Sequence, residues 1–442
     1  MSTSWRAVQK KIKYYCRYSN NNNNNNIRHD ASKQQRLFKM STLSASQGES
    51  SEIFVETIKP GVDLTLENGF KIPSKSLQIK YLSIGMNENP MKPIIYVFPS
   101  LSNSPFLVDS KEHNAKGWWR SIVGYGESYG IDLNKFNVIC ASPLGSPYGS
   151  TSPITTNEDT GKKWKNDFPT ITPLDMANLH NILLEYLGIE KVSAIVGGSM
   201  GGKQVLQFAA MYPNKFHRAC AIAATGHTSP STVGLRFVQR QAVKMDKSKG
   251  LRVARMIGTI GYRSREEFDR RFSWDPMDDK NKNSNRNNKN HADEEEVTFE
   301  VESYLRHQAD LFERGGYDVD CYMTLSEACD RMSLDYDVMK ENHINNINDI
   351  NEITGKKEKK EILLLPYSTD AIMPPCELLE VASTLGPQKD FRVHYEVLNT
   401  IHGHDAFMVP RHKEITALCK RLRPFFIDGV DAVRRFHHDA FG

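Results

Sequence analysis

The chain has 442 residues, 57 of them basic and 53 acidic, for a formal net charge of +4. A balance that even leaves no electrostatic footprint for nucleic acid, and no apolar run is long enough to cross a membrane. Seven cysteines, Cys16, Cys140, Cys220, Cys321, Cys329, Cys376 and Cys419, lack C-x-x-C spacing, which excludes a disulfide framework and a zinc site. The expectation is a soluble intracellular protein, cytoplasmic or mitochondrial, with no resident metal.

Residues 1–48 form an arm distinct from the rest. Nine basic side chains from Arg6 to Lys39 meet one acid, Asp30, and an asparagine run spans Asn20 to Asn26. That composition fits a mitochondrial presequence and a disordered extension equally well. Beyond it, KPIIYVFP, FNVICAS, KVSAIVGG, RACAIAA, KEILLLPY and RVHYEVL are short apolar runs separated mostly by helical stretches. The alternation predicts an α/β fold with a mostly parallel, doubly wound sheet over residues 49–225 and 361–430. Residues 226–340 read as helical, with QRQAVKMD, GLRVARMIGTI and EVESYLRHQADLFERG as candidates, and they predict a cap over the C-terminal sheet edge, where such folds bind ligands. Two segments, 278–296 within the cap and 341–360 after it, are too polar to pack and are expected to loop out into solvent.

Between KVSAIVGG and a helical run lies GGSMGGK. Gly197, Ser199 and Gly201 fit G-x-S-x-G, a tight strand-to-helix turn that presents a serine hydroxyl at the top of a parallel sheet. The same letters describe a plain glycine-rich loop or a phosphate cradle, although no Lys-Ser/Thr pair follows as a P-loop would require. A serine nucleophile needs a histidine oriented by a carboxylate, in the order Ser, Asp or Glu, His. Asp370 follows the strand KEILLLPY, and His402 and His404 follow RVHYEVL, all at the sheet edge that carries Ser199. Either histidine could face the elbow. His438 repeats the local letters but sits in a terminal tail after a helix, where fraying discounts it.

Several further blocks carry a resemblance: GWWRSIVGYG, NVICASPLGSPYGSTSP, FPTITPLDM, VGGSMGGKQVLQFA, RMIGTIGYRS, FEVESYLRHQ, STDAIMPP and GHDAF. With these blocks in order from about residue 60 to 425, the chain resembles the homoserine O-acetyltransferase family of α/β-hydrolase-fold acyltransferases. The resemblance implies a triad of Ser199, Asp370 and His404, and an oxyanion hole from the backbone amides of Leu101 and Met200. It implies that Arg255, Tyr262 and Asp405 bind the amino-acid substrate, an assignment that suits an arginine for a carboxylate and an aspartate for an ammonium. Arg255 and Tyr262 are seven positions apart, close to two helical turns, so they can share a face.

The activity implied is acyl-CoA-dependent O-acylation of homoserine, with acetyl-CoA as co-substrate, no bound cofactor, a role in methionine biosynthesis, and a homodimer left open. The alternatives are an L-serine O-acetyltransferase or O-succinyltransferase of cysteine biosynthesis, and an ester hydrolase on the same triad. Two departures bear on this choice. Ser102-Asn103 replaces the family's threonine-glycine, and Gly124-Tyr125-Gly126 replaces its glycine-proline-glycine, both expected on the substrate side of the elbow.

Overall fold

The apolar runs become the middle and one edge of a single eight-stranded sheet. The computed structural model describes residues 52–276, 298–345, 359–408 and 412–441; the whole N-terminal arm and the polar segment 278–296 lie outside them. The strands are β1 (Ile53–Ile58), β2 (Ile79–Ile84), β3 (Ile94–Phe98), β4 (Asn137–Ala141), β5 (Val192–Gly198), β6 (Phe216–Ile222), β7 (Lys360–Leu365) and β8 (Phe391–Tyr395). Their spatial order is β1-β2-β4-β3-β5-β6-β7-β8. β2 pairs antiparallel with β1 and β4, and every other neighbouring pair is parallel.

Helices cover both faces, so the parallel strands carry apolar runs, with polar residues such as His217 and Arg218 of β6, Glu361 of β7 and Arg392 of β8 nearer their starts. Every residue of β4, NVICA, is buried, as are Leu363, Leu364 and Leu365 of β7. β1 and β2 escaped the sequence reading for the complementary reason. β1 (IFVETI) is a half-exposed edge carrying Glu56, and β2 (IKYLSI) is broken by Lys80 and Ser83, so neither forms a continuous apolar run.

α1 (Pro173–Tyr186) and α2 (Met200–Met211) pack together on one face of the sheet. Thr172 and Asp175 close a capping box at the start of α1, with Pro173 in its first turn. Among the described residues between β6 and β7 there are six helices: α3 (Pro230–Met245), α4 (Lys247–Tyr262), α5 (Arg265–Arg271), α6 (Glu300–Arg314), α7 (Val319–Asp330) and α8 (Tyr336–Ile344). α9 (Pro375–Leu385), α10 (His412–Asp428) and α11 (Val430–Phe441) complete the core.

The polar segment expected at 341–360 is shorter than its composition implies. α8 runs through Ile344, and buried His343 places Nε2 2.9 Å from the Ala209 carbonyl of α2. At the other end Lys360 already belongs to β7, its buried ammonium donating to Phe216 O at 2.8 Å. The C-terminus also differs from expectation: residue 438 lies inside α11, not in a frayed tail, and the core continues past 430. Among the described residues, no helix is long and apolar enough to cross a membrane.

Candidate active site

At the end of β5 the chain turns into α2 within one residue. Ser199 takes φ 57° and ψ −123°, a backbone state costing about 1–3 kcal/mol that persists only where its surroundings enforce it. Two hydrogen bonds do so: Ser199 N–H donates to Ile222 O of β6 at 2.9 Å, and Ser199 O accepts from Lys203 N–H at 3.1 Å. The flanking glycines are steric requirements. A Cβ at Gly201 would lie 2.1 Å from Phe98 O, and one at Gly197 would lie 2.5 Å from the carbonyl carbon of Gly201. No side chain larger than hydrogen lets α2 begin this close to β3.

Asp370 follows β7 and His404 follows β8, in loops at the same sheet edge. His404 Nε2 lies 2.8 Å from Ser199 Oγ, and its Nδ1 lies 2.7 Å from Asp370 Oδ2. The other carboxylate oxygen of Asp370 accepts the N–H groups of Ile372 and Met373 at 2.9 and 2.8 Å. An aspartate held in this way accepts from Nδ1–H and leaves Nε2 with a lone pair for the serine hydroxyl. Burial alone would depress the imidazole, but Asp370, reinforced by Asp405, outweighs it and raises the His404 pKa above the usual 6.5.

The two other histidines stand elsewhere. His402 is buried with Nδ1 3.2 Å from Glu267 Oε2 of α5, in a contact that ties the cap to the core. Residue 438 is in α11.

Leu101 and Met200 flank the serine from two sides. Met200 is the first residue of α2, so its amide belongs to the positive end of that helix. Leu101 sits in the loop after β3, and two tyrosines hold that loop: Tyr317 Oη donates to Leu101 O at 2.6 Å and Tyr148 Oη donates to Ser102 O at 2.9 Å.

A buried chain of polar groups connects both sides. The side-chain amide of Gln204 donates to Pro99 O at 3.1 Å and to Met200 O at 3.3 Å. Its oxygen lies 2.8 Å from His180 Nε2, and His180 Nδ1 lies 2.8 Å from Tyr96 Oη. Burial pushes the His180 pKa down to about 4, so the ring is neutral. With the proton on Nε2 it donates to Gln204 and accepts from Tyr96, and every donor in the chain has an acceptor.

The cleft above Ser199 has a volume of about 70 Å³ and is lined by Leu101, His404, Arg255, Tyr262, Asp405 and Arg236 among others. Arg255 and Tyr262 come from one face of α4, about two turns apart, as their spacing requires. The Arg255 guanidinium lies 5.2 Å from the centroid of Phe312, and its buried Nε has no hydrogen-bond partner among the described residues. The Tyr262 ring centroid lies 5.9 Å from that of His404. Asp405 faces Arg263 Nε at 3.6 Å, an ion pair too long for a hydrogen bond.

Arg236, on α3, was not foreseen, because nothing in the spacing around it distinguishes a cleft residue from a solvated helix charge. It is 6% exposed and pairs with Asp330 at 3.0 Å, and Arg240 holds the second oxygen of that carboxylate at 2.6 Å. Lys203 was also missed. It is fully buried one turn beyond the nucleophile, donating to Thr228 Oγ1 at 2.7 Å and Cys329 O at 2.9 Å, and burial with Arg236 nearby pushes its ammonium down to about 7.

Of the two departures expected beside the elbow, only one is there. Ser102 lines the cleft, whereas Tyr125 is 51% exposed. The turn at Gly126 is anchored away from the cleft by Asp132 Oδ1, which accepts its N–H at 3.0 Å, and by Arg423 of α10, which donates to its carbonyl at 3.1 Å. Among the described residues, no three or more His, Cys, Asp or Glu side chains gather as a metal-ligand set.

Comparison with known proteins bears on the fold and the family. A family model described as alpha/beta hydrolase fold matches residues 113–297. The homoserine O-acetyltransferase of Methanococcus vannielii is 31% identical over 377 residues, covering 82% of this chain and 71% of that protein. The chain belongs to the homoserine O-acetyltransferase family. It is an amino-acid O-acyltransferase built on the α/β-hydrolase fold. The chain is also similar to an enzyme of another specificity: the serine O-succinyltransferase of Litchfieldella anticariensis is 30% identical over 369 residues, covering 80% of this chain and 94% of that protein. Among solved structures, homoserine O-acetyltransferase from Bacillus anthracis superimposes with a TM-score of 0.68 at 19% identity, over 86% of this chain and 99% of that one, which speaks for the fold.

Proposed function

We propose that the protein transfers an acyl group, most simply acetyl, from acyl-CoA to the side-chain hydroxyl of homoserine, through a covalent acyl-Ser199 intermediate, as a step of methionine biosynthesis. Ser199 Oγ attacks the thioester carbonyl while His404 Nε2 takes its proton. The tetrahedral oxyanion forms against the Leu101 and Met200 amides, collapses, and expels CoA as the thiol, protonated by His404. The acceptor hydroxyl then binds in the emptied site, gives its proton to His404 and attacks the Ser199 ester. Collapse of the second intermediate returns the proton to Ser199 and releases the O-acyl amino acid. Asp370 orients the imidazole and stabilises its cationic form throughout.

One observation carries the choice of a charged acceptor over water. Arg255, Tyr262 and Asp405 share one small cleft with Ser199. Arg255 suits a carboxylate through a forked pair of hydrogen bonds. Asp405 suits an ammonium, and binding would draw it partly away from Arg263. A hydrolase of apolar esters has no use for either charge. The serine O-succinyltransferase relative makes serine and succinyl the alternatives to be tested beside homoserine and acetyl. The test is a matrix of acetyl-CoA and succinyl-CoA against homoserine, serine and no acceptor, following free thiol and O-acyl product. Homoserine should raise thiol release well above the acceptor-free rate. Thiol release indifferent to every amino acid would make the protein an esterase.

A further inference from the structure

Asp405 faces the cleft with few partners of its own. It is 9% exposed, and its carboxylate accepts no hydrogen bond from the described residues. Among those residues, the Arg263 guanidinium is the cation within ion-pair distance of it, with Nε 3.6 Å from Oδ2. That Nε is itself buried and has no hydrogen-bond partner among the described residues. A small movement of Asp405 toward Arg263 would complete a hydrogen bond, and a small movement toward the cleft breaks none.

Arg263 is held where it stands. Its Nη1 donates to both carboxylate oxygens of Glu267, at 3.1 and 3.2 Å, four residues along in the first turn of α5. Glu267 is fixed in turn: its amide donates to Ser264 Oγ at 3.1 Å, and its carboxylate also faces His402 Nδ1 at 3.2 Å. Burial works against the Arg263 charge, but Asp405 and Glu267 outweigh it and hold the guanidinium pKa above its usual value.

The loop that carries Asp405 is pressed onto the same α4–α5 junction. Ser264 Oγ donates to Ile401 O. Gly403, at φ 67°, has no space for a side chain, since a Cβ would lie 2.8 Å from both Tyr262 O and Ser264 N. Two consecutive residues of the junction therefore reach Asp405's surroundings differently: Tyr262 lines the cleft, while Arg263 lies outside it, against the carboxylate.

On the reading of the protein as an amino-acid O-acyltransferase whose Asp405 takes the acceptor's ammonium, we infer that Arg263 is the positioning residue of that ammonium site. It touches no substrate. It backs the Asp405 carboxylate from outside the cleft, so that Oδ1 is presented to the incoming amine, and the 3.6 Å gap lets Asp405 shift onto the ammonium without breaking a formed hydrogen bond. Preference for an amine-bearing acceptor over a plain hydroxy acid thus depends on a side chain that never meets the acceptor.

The experiment acylates the full-length protein with acetyl-CoA and follows discharge by two acceptors: homoserine, and 4-hydroxybutyrate, which has the same hydroxyl and carboxylate but no amine. Arg263→Gln removes the charge and keeps much of the bulk, and Glu267 retains His402 and Arg271 as partners. It should raise the homoserine concentration for half-maximal discharge roughly tenfold or more, while acylation and discharge by 4-hydroxybutyrate stay within about twofold of the parent. In an Asp405→Asn background the same substitution should add less than about twofold, because the two side chains act as one unit. Arg263→Lys restores the charge without the fork and should recover part of the loss. If Arg263→Gln does not fold, Arg263→Met carries the same expectation. Homoserine half-saturation unchanged in the folded variant, or an equal loss with both acceptors or in acylation, overturns the inference and leaves Arg263 a staple between cap and core. Failure of the transferase reading looks different and needs no variant: the parent acyl-enzyme would discharge to acetate at one rate with or without homoserine.

Discussion

Ser199, His404 and Asp370 form a chain of short hydrogen bonds in which only one imidazole can serve as both base and acid. Ser199→Ala should abolish acyl transfer without loss of the thermal transition, since the elbow accommodates the smaller side chain; kinetics beside calorimetry checks this. Asp370 raises the His404 pKa, and the imidazole must be neutral to accept a proton. Acylation should therefore fall as pH drops through an apparent pKa above 6.5, the protonated ring being inactive below it. Asp370→Asn removes the larger of the two carboxylates that raise it, so the limb should move to lower pH while turnover drops about 10³–10⁴-fold, by analogy with other triads. A limb that stays in place in a pH–rate profile of that variant would assign the ionisation to another group.

His402 separates the structural from the chemical role. His402→Ala removes a buried contact to Glu267, which keeps its pairing with Arg263, and should cost about 0.5–1.5 kcal/mol of stability, with turnover of the folded fraction nearly kept, whereas His404→Ala should lose several orders of magnitude. Spacing left both histidines open, since either side of Gly403 can face the elbow in an unplaced loop. The geometry separates them: the loop brings His404 to Ser199, while α5, which has no sequence link to that loop, claims His402.

At the scale of elements, the parallel centre of the sheet was legible because strands covered on both faces carry continuous apolar runs, such as ACAI of β6 and ILLL of β7, and the two antiparallel strands were not because polar residues interrupt them. The elbow was legible because its steric demand is local. What ties the loop after β3 to the start of α2 was not. Gln204, His180 and Tyr96 come from α2, α1 and β3, and nothing in sequence announces that they meet. Gln204 joins that loop to the first turn of α2, the two segments proposed to supply the oxyanion amides. Gln204→Glu places a carboxylate against two carbonyl oxygens and should reduce acylation by about 10²-fold, within the range seen when an oxyanion donor is lost. If the effect is one of positioning, affinity for a boronate analogue of the tetrahedral intermediate should fall by the same factor, while the half-saturating acyl-CoA concentration stays put. A loss in half-saturation alone would place Gln204 in ground-state binding.

For the whole molecule, the cap closes over the core's serine. α4 brings Arg255 and Tyr262 over Ser199, α3 adds Arg236, and the loop after His404 adds Asp405, so three separate parts of the chain converge on one cleft. The resemblance pointed to three of these residues by their motifs. Arg236 and Lys203 remained invisible because their importance comes from burial beside Asp330 and Cys329, which only the folded cap creates. Arg255→Ala should raise the homoserine requirement by roughly 30- to 1000-fold, the equivalent of about 2–4 kcal/mol of lost charge pairing. The donor half-reaction should proceed near the parental rate.

The central claim is that Ser199 carries the acyl group between two substrates. Intact-protein mass spectrometry after rapid mixing with acetyl-CoA alone tests it directly. One acetyl increment per chain is expected, located on the peptide containing Ser199, stable until homoserine or serine is added and then discharged as the O-acetyl amino acid. Discharge to free acetate at the same rate with or without an amino acid, or no increment on Ser199 while turnover continues, would contradict it.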